Sequence, residues 1–422
     1  MSLSKLPNII RRAKPAALVL LTCAIGLALT LPVHAQSYSV IFGSFNGNNG
    51  SAPDNVTLDA AGNVYGVTLY GGMGNGTVYK LTRSGSGWRF NTLYEFTGHA
   101  DGSRPGGGLT LGPDGSLYGV TQNGGTRGLG TVYKLQPPSS ACKTALCYWT
   151  ETVLHTFSNT GDGAQPLCNV VFDRAGNMYG TSYGGLYQDF GTLWELSPAG
   201  GQWTFTVIHV FTDGADGGGP IGNLLLDRAG NLYGVTERGG SANYGVAYEF
   251  TNGASGWSQT VLHNFGEGDQ DGTYPYGLAF DANGNLFGFT SEGGSSEEGT
   301  IYELLATNGG FTYSIVYNFQ PTPGGVPYSV PIFDNAGNLY GTGQGPGAGN
   351  GAGFLFELSS SGGSWNLSVS HTFLGSSGSD GASPQGTMAF DAQGNLYGAT
   401  LFGGGFSLNC TDGCGTVWEY TP

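Results

Sequence analysis

The sequence predicts an all-β protein, a closed seven-bladed β-propeller whose blades each have four strands. Three observations lead to this prediction. A pentapeptide resembling Gly-Asn-Leu-Tyr-Gly recurs seven times, each copy lies among four short apolar segments, and the two ends of the chain supply complementary segments. A repeat of this length indicates a repeat architecture, and four strands per repeat are typical of a propeller blade.

The pentapeptide copies follow one another at nearly constant spacing. Successive copies are 53, 61, 54, 54, 53 and 57 residues apart. The copies begin at Gly62, Gly115, Gly176, Gly230, Gly284, Gly337 and Gly394.

The fourth repeat shows how each unit divides into strands. Its apolar segments are residues 221–226, 231–236, 246–250 and 257–265, and Gly or Asp separates them. Short segments rich in Val, Tyr, Phe, Thr and Trp between turn residues predict β-strands. A turn of the form Asp-x-x-Gly joins the first two segments in most repeats, and we predict a structural role for its Asp. These aspartates are Asp59, Asp173, Asp227, Asp281, Asp334 and Asp391.

The chain ends predict how the ring closes. Residues 38–45 resemble a fourth strand without a blade, whereas the last repeat stops after its third strand at residues 415–420. Pairing the two segments would complete the seventh blade and leave no open edge there.

Residues 1–35 have the pattern of a signal peptide. Lys5, Arg11, Arg12 and Lys14 precede an apolar stretch at residues 16–31, and Val-His-Ala at 33–35 resembles a cleavage site. We therefore expect residues 36–422 to form a single exported propeller domain, with no membrane span after cleavage. The exported protein is expected in the extracellular space, at the cell surface or in the periplasm.

Composition argues against some partners. Removing residues 1–35 takes away four of the 14 Lys and Arg and no Asp or Glu. The mature chain then has 10 basic and 29 acidic residues, a formal charge of −19. Such a charge opposes binding to nucleic acid. We expect a monomer.

Asp-Gly-x-x-Pro segments connect most fourth strands to the next blade; Asn49 replaces the Asp in the first repeat, and residues 323–327 break the pattern in the sixth. In a propeller these links share one face with the variable loops between second and third strands, so a binding site is expected there. The candidate binding residues on this face are Asp101, Asp162, Asp216, Asp271 and Asp380. Asp-Gly is also an ordinary turn sequence. The carboxylates could instead hold Ca²⁺ or a sugar.

Ring-bearing side chains recur near the end of the fourth strands. His155, His209, His263 and His371 each lie two residues before a Phe, and Trp or Phe lies eight residues before the same Phe. A metal site is conceivable, but fourth strands lie at the perimeter, far from one another. We predict that both positions serve packing.

Two cysteine pairs lie in insertions relative to the repeat. Cys142 and Cys147 form one pair, Cys410 and Cys414 the other. In an oxidising compartment, two local disulfides are expected. Cys168 takes a position that small residues hold in other repeats, and is expected to be a buried free thiol.

The sequence contains no known catalytic motif, so we predict no catalytic residue, cofactor or metal site; Ca²⁺ is the alternative noted above. Residues 38–420 resemble the GloVer tandem repeat of bacterial exported proteins, the choice-of-anchor group. The third repeat shows this well at residues 173–180, 184–185 and 191–196. The resemblance implies an extracellular or cell-surface location and transfers no catalytic residues. Because the chain ends at Pro422 without a sorting tail, release or periplasmic residence is expected.

Two functions are compatible with these features. The first is a secreted, non-enzymatic binding or scaffold module for a glycan or an extracellular protein. The alternative is a secreted polysaccharide hydrolase or lyase that uses the carboxylates of the Asp-Gly links.

Overall fold

The structure, a computed structural model, describes residues 36–139, 149–185, 189–321, 325–345, 352–406 and 410–422. All regular secondary structure within these ranges is antiparallel β-strand. No helix long and apolar enough to cross a membrane occurs within these ranges. The strands form seven small sheets arranged in a ring, so the predicted seven-bladed propeller is confirmed.

The first three blades each pair four consecutive strands in chain order. Blade 1 contains β2 Ser51–Leu58, β3 Val64–Tyr70, β4 Thr77–Ser84 and β5 Gly87–Glu95. Blade 2 contains β6 Ser103–Leu111, β7 Leu117–Asn123, β8 Thr131–Gln136 and β9 Thr150–Thr156. Blade 3 contains β10 Val171–Phe172, β11 Met178–Ser182, β12 Thr192–Ala199 and β13 Gln202–Val210.

Blades 4 to 6 repeat this order, with a divided first strand in blade 6. Blade 4 contains β14 Gly218–Leu226, β15 Leu232–Arg238, β16 Val246–Gly253 and β17 Gly256–Asn264. Blade 5 contains β18 Gly272–Phe280, β19 Leu286–Gly293, β20 Thr300–Thr307 and β21 Gly310–Asn318. Blade 6 contains β22 Val326–Pro327, β23 Ile332–Phe333, β24 Leu339–Gln344, β25 Gly353–Ser361 and β26 Ser364–Thr372.

Blade 7 joins the two ends of the chain, as predicted. It contains β27 Ala382–Phe390, β28 Leu396–Phe402, β29 Thr416–Thr421 and β1 Ser37–Phe42. The N-terminal strand β1 is the outer strand of this blade, and Tyr38 lies opposite Tyr420 while Val40 lies opposite Trp418. The edge of β29 is therefore covered by the start of the same domain.

The first strand of blade 4 begins earlier than the sequence predicted. In blade 4, β14 starts at Gly218 rather than at Ile221, because the end of the Asp-Gly-x-x-Pro link already pairs with β15. Pro220 lies opposite Thr236 in this ladder. Proline is tolerated because the first strand is the innermost of its sheet, and its second edge needs no partner within the blade.

The second Gly of the pentapeptide makes room for an aromatic ring of the third strand. A Cβ atom added to Gly66 would lie 2.2 Å from the hydroxyl of Tyr79, and one added to Gly180 would lie 2.3 Å from the Trp194 ring. Tyr79 and Trp194 are completely buried. The recurring Gly is thus a packing requirement of each blade.

The Asp of the Asp-x-x-Gly turn organises its hairpin, as predicted. Asp227 Oδ1 accepts hydrogen bonds from the backbone N–H groups of Ala229 and Asn231, and Oδ2 accepts one from the Asn231 side chain. The same pattern occurs at Asp59, Asp173, Asp281, Asp334 and Asp391. These carboxylates therefore have a structural role.

Neighbouring blades bury apolar side chains between them. One cluster joins Tyr65 and Val67 of blade 1 to Leu117 and Tyr133 of blade 2. The recurring Trp takes part in this packing: Trp203 of blade 3 lies edge-to-face on Tyr118 of blade 2, with ring centroids 6.2 Å apart. The predicted packing role of these Trp residues is confirmed.

The connections divide between two faces. We call the side with the blade links and the second-to-third-strand loops the loop face, and the opposite side the hairpin face. Direct hydrogen bonds join links and loops, for example from Gly240 N–H to the Gly214 carbonyl (2.7 Å) and from Gly125 N–H to the His99 carbonyl (2.7 Å). Links and variable loops thus share one face, as the sequence predicted.

Candidate functional site

Each link aspartate accepts a hydrogen bond from a ring of the strand before it. His263 Nε2 lies 3.0 Å from Asp271 Oδ2, and in blade 1 the Tyr94 hydroxyl donates to Asp101 over 3.1 Å. The other pairs are His155 with Asp162 (3.2 Å), His209 with Asp216 (3.0 Å) and His371 with Asp380 (3.1 Å).

The same carboxylates also accept backbone N–H groups of their own links. The donors are Thr97 for Asp101, Ser158 for Asp162, Thr212 for Asp216, Gly266 for Asp271 and Leu374 for Asp380. Five carboxylates therefore fix five links, one at each of five blade joints. Their assignment as ligand-binding residues, including Ca²⁺, stays a prediction. Within the described residues no group of three or more His, Cys, Asp or Glu is placed to hold a metal ion.

Three of the four histidine rings, those of His155, His263 and His371, stack on a ring of the following blade. His155 lies on Phe205 and His263 on Tyr313, both with ring centroids 3.6 Å apart. Burial lowers the pKa of His155, and the nearby Asp162 only partly offsets this effect. The imidazole is therefore neutral at neutral pH, and its bond to Asp162 is not an ion pair. The predicted packing role is confirmed, whereas the bond to the link aspartate was missed.

Blade 2 departs from this pattern. Glu151 occupies the position that Phe205 holds in blade 3, and its Oε1 atom is buried without a hydrogen-bond partner. Burial, together with the charge of Asp101, raises the pKa of Glu151 to about 7. A carboxyl group with this pKa can be protonated or ionised at neutral pH.

On the loop face, the residue before most of the link prolines has an unusual backbone conformation. Residues other than Gly adopt positive φ at Ala52 (53°), Arg104 (54°), Gln165 (52°), Tyr274 (56°) and Ser383 (50°). Such conformations cost about 1–3 kcal/mol and persist where the surroundings impose them. The hydrogen bonds that impose them run to the preceding blade, for example from Arg104 N–H to the Asn75 carbonyl (2.8 Å).

These strained residues place side chains at the blade joints on the loop face. The Arg104 guanidinium lies over the Tyr70 ring of blade 1, 5.2 Å from its centroid. Tyr274 contacts Tyr244 of blade 4 edge-to-face, with centroids 5.5 Å apart. The loop face thus carries a series of aromatic contacts that differ from joint to joint.

A cleft of about 270 Å³ lies between blade 7 and blade 1. Tyr70 of blade 1 and Phe402 and Asp412 of blade 7 contribute to its wall. A disulfide between Cys410 and Cys414, with Cα atoms 5.3 Å apart, lies in the same loop, so one of the two predicted disulfides is confirmed. Cys142 and Cys147 lie outside the described residues.

A model of the Gloeobacter/Verrucomicrobia repeat matches residues 26–152, 147–329 and 239–422. The chain belongs to this repeat family. The resemblance inferred from the repeated motifs is therefore confirmed over nearly the whole length. No curated protein sequence matches the chain.

Several solved structures resemble this member of the repeat family at low sequence identity. A Lactobacillus plantarum protein has a TM-score of 0.50 at 15% identity, over 76% of this chain and 84% of its own. PorZ, a surface component of the type-IX secretion system of Porphyromonas gingivalis, has a TM-score of 0.49 at 14% identity, over 89% of this chain and 47% of PorZ. A Thermus thermophilus protein described provisionally as a glucose dehydrogenase has a TM-score of 0.42 at 15% identity, over 92% of this chain and 100% of its own. At this identity the Lactobacillus plantarum structure shows a shared fold and nothing further.

Two further buried groups in this member of the repeat family, a thiol and a carboxyl, have raised pKa values. Cys168 is a buried free thiol, as predicted, and burial raises its pKa to about 11. Asp54 of β2 has a buried Oδ1 atom without a partner, and burial raises its pKa to about 6. Sequence reasoning missed Asp54, although an acid directly after a link proline differs from the residues at that position in the other repeats.

Proposed function

We propose that this protein is an exported, non-enzymatic propeller whose loop face binds a glycan or an extracellular protein. The observation that supports this most strongly is the difference between the two faces. The hairpin face repeats one Asp-x-x-Gly turn, whereas the loop face exposes large apolar and aromatic side chains that differ in number and identity from blade to blade. The exposed side chains on the loop face include Tyr70, Met73, Tyr244, Tyr328, Leu374, Phe402 and Phe406.

Contiguous exposed apolar side chains are typical of interaction sites, and Tyr70 and Phe402 line one cleft. Met73, Leu374 and Phe406 are 68%, 69% and 58% exposed. Exposure at this level costs solubility and is expected where a partner covers the surface. The same loops carry Tyr rings with polar tips, which suit contacts with both sugars and proteins.

Export is supported by the signal-like pattern of residues 1–35 and by the Cys410–Cys414 disulfide, since disulfides persist in oxidising compartments. Mass spectrometry of the protein recovered from the periplasm and the medium tests this part. A mature N-terminus at Gln36 is expected, and an uncleaved cytoplasmic protein would contradict export.

Binding is tested with residues 36–422 on glycan and extracellular-protein arrays. The double variant Tyr70→Ala/Phe402→Ala should lose the signal. The matched variant Leu305→Ala changes an exposed side chain at the far end of β20 and should keep it. Absence of binding to every array, or loss of binding in Leu305→Ala alone, would contradict the proposal.

One observation favours the enzyme alternative. Burial and the charge of the nearby Asp101 raise the pKa of Glu151 to about 7. Such a pair resembles a general acid beside a carboxylate. Polysaccharide turnover that disappears in Asp101→Asn and Glu151→Gln, but not in Asp162→Asn, Asp216→Asn or Asp271→Asn, would establish this reading. Turnover that is absent from the parent protein would remove it.

A further inference from the structure

A second cleft on the loop face lies among blades 4, 5 and 6 and is walled by tyrosines. We call it the tyrosine cleft; Glu237, Tyr274, Tyr276, Ser291 and Tyr328 line it. The rings of Tyr276 and Tyr328 are 5.9 Å apart and inclined by 35°. Aromatic rings from two adjacent blades thus form one wall.

Tyr274 is held in this wall by its backbone. Its φ of 56° is unusual for a residue with a side chain and precedes Pro275. The Tyr274 N–H donates to the Tyr244 carbonyl over 3.1 Å, and the two rings lie edge-to-face at 89°. The ring is therefore fixed before any ligand arrives, which reduces the entropy lost on binding.

Charge in the tyrosine cleft is negative. Glu237 belongs to its wall, and its Oε2 accepts a hydrogen bond from the Tyr183 hydroxyl. Glu292 follows Ser291 and lies close to Tyr274. Burial is the largest cause of the raised pKa of the Tyr274 phenol, and the charge of Glu292 is the second largest. Among the residues that the structure describes, no Lys, Arg or His lines the cleft. Arg238 lies over the rings of Tyr183 and Phe190 on the blade 3 side, 5.6 and 5.9 Å from their centroids.

The tyrosine cleft is small and partly apolar, with a volume of about 70 Å³. Its wall combines the tyrosine rings and the carboxylate with the apolar side chains of Ile221, Pro275 and Pro327. This combination suits a small cationic head group that carries apolar methyl or methylene groups.

We propose that the tyrosine cleft binds an organic ammonium group, primary or methylated, through the faces of Tyr274, Tyr276 and Tyr328 and the carboxylate of Glu237. Aromatic rings attract cations through the negative potential of their faces, and the attraction increases when the cation is desolvated. This inference rests on the proposed binding function and names the ligand chemistry of one site on the loop face. A lysine side chain or a choline-type head group supplies the same chemistry.

The test titrates residues 36–422 with choline and with 3,3-dimethylbutan-1-ol, its uncharged isostere, while tyrosine resonances are followed by NMR. Choline should bind at least about tenfold more tightly than the isostere. Equal affinity for the two, or no change at the cleft tyrosines, would overturn the proposal. Titration with Nα-acetyl-lysine methylamide and its trimethylated form then distinguishes a polypeptide source from a small-molecule or lipid source.

Variants make the site assignment specific. Tyr276→Leu imitates blades 3 and 4, where Leu167 and Ile221 follow the link proline, so the fold should tolerate it. Tyr276→Leu and Glu237→Gln should each weaken choline binding at least about tenfold, whereas Leu305→Ala at the far end of β20 should not change it. Glu237→Gln keeps the test decisive if Tyr276→Leu unfolds. Unchanged affinity in a folded cleft variant would overturn the assignment.

Failure of this inference is distinguishable from failure of the proposed function. Array binding without an ammonium response at the cleft would refute the inference and leave the binding function standing. An ammonium response without any array signal would support the cleft and count against a glycan or protein partner.

Discussion

His263 and Tyr313, which belong to adjacent blades, lie parallel with centroids 3.6 Å apart and hold the two oxygens of Asp271 between them. His263 Nε2 is 3.0 Å from Oδ2, and the Tyr313 hydroxyl donates to Oδ1 over 2.6 Å. One link carboxylate thus ties the outer strand of blade 4 to that of blade 5. Burial alone would raise the pKa of Asp271, but hydrogen bonds from His263 and Tyr313 outweigh it and hold the pKa below its ordinary value.

Tyr313→Phe should lower the melting temperature by about 2–5 °C at neutral pH. The variant removes one hydrogen bond to a charged group, which contributes about 1.5–3 kcal/mol, and keeps the stack, since Phe205 takes this place opposite His155. A carboxyl with a lowered pKa contributes stability above the unfolded-state pKa of about 4 and loses it as pH falls through the folded-state pKa. Thermal unfolding between pH 2.5 and 7 should therefore show the two curves converging in acid. A constant difference at every pH would refute the role of Asp271.

Glu151→Gln should stabilise the protein at pH 8 by about 1–3 °C and leave it unchanged near pH 4.5. The folded-state pKa of Glu151, about 7, exceeds the unfolded-state value, so stability is lost as pH rises from about 4.5 to 7. Partial exposure reduces the size of the effect. Blade 4 offers a precedent, because Gln259 at the same position donates to the Asp216 carbonyl over 2.8 Å. Melting curves across this pH range provide the measurement, and a less stable variant at pH 8 would contradict the account.

Gly180→Ala should lower the melting temperature by at least about 5 °C. The added methyl group would lie 2.3 Å from the Trp194 ring, and overpacking of a buried site costs about 1–3 kcal/mol or more. Gly309→Ala is the matched control, since a Cβ there meets no atom within 4 Å. Equal melting temperatures for the two variants would show that the pentapeptide Gly is not a packing requirement.

Thiol counting tests the cysteine assignments together. Native protein without reductant should show no alkylation, because Cys168 is buried and its pKa is raised to about 11. In denaturant without reductant, one alkylated cysteine per mature chain is expected if Cys142 pairs with Cys147. Mass spectrometry showing three alkylated residues would mean that this second disulfide is absent.

Much of the fold follows from local rules that the sequence displays. The pentapeptide recurs in every unit and the Asp-x-x-Gly turn in most of them, and the spare strand near Tyr38 matches a fourth strand, so seven blades and their closure could be predicted. The predicted start of the first strand in the fourth repeat was less accurate. The link before Ile221 resembles a turn, yet from Gly218 onward it pairs with β15.

The candidate site was harder to predict because its contacts cross between repeats. The ring precedes its link aspartate by seven residues at His155 and His209, by eight at His263 and by nine at His371, and this narrow range of offsets could have revealed the pairing. The ring partners lie a whole repeat away, for example Phe205 for His155 and Tyr244 for Tyr274. The tyrosine cleft also depends on the positive φ of Tyr274 before Pro275, a conformation that a Tyr at this position does not indicate.

The most direct test of the closed ring is removal of residues 37–45, which contain β1 and the buried Phe45. The truncated domain should melt at least about 10 °C lower and should aggregate, because the edge of β29 and the stacking surface of His371 become exposed. A synthetic peptide of residues 36–46 added in trans should restore part of the lost stability. A truncated protein that stays monomeric and melts at the temperature of the parent would contradict closure, and with it the continuous loop face on which the proposed function depends.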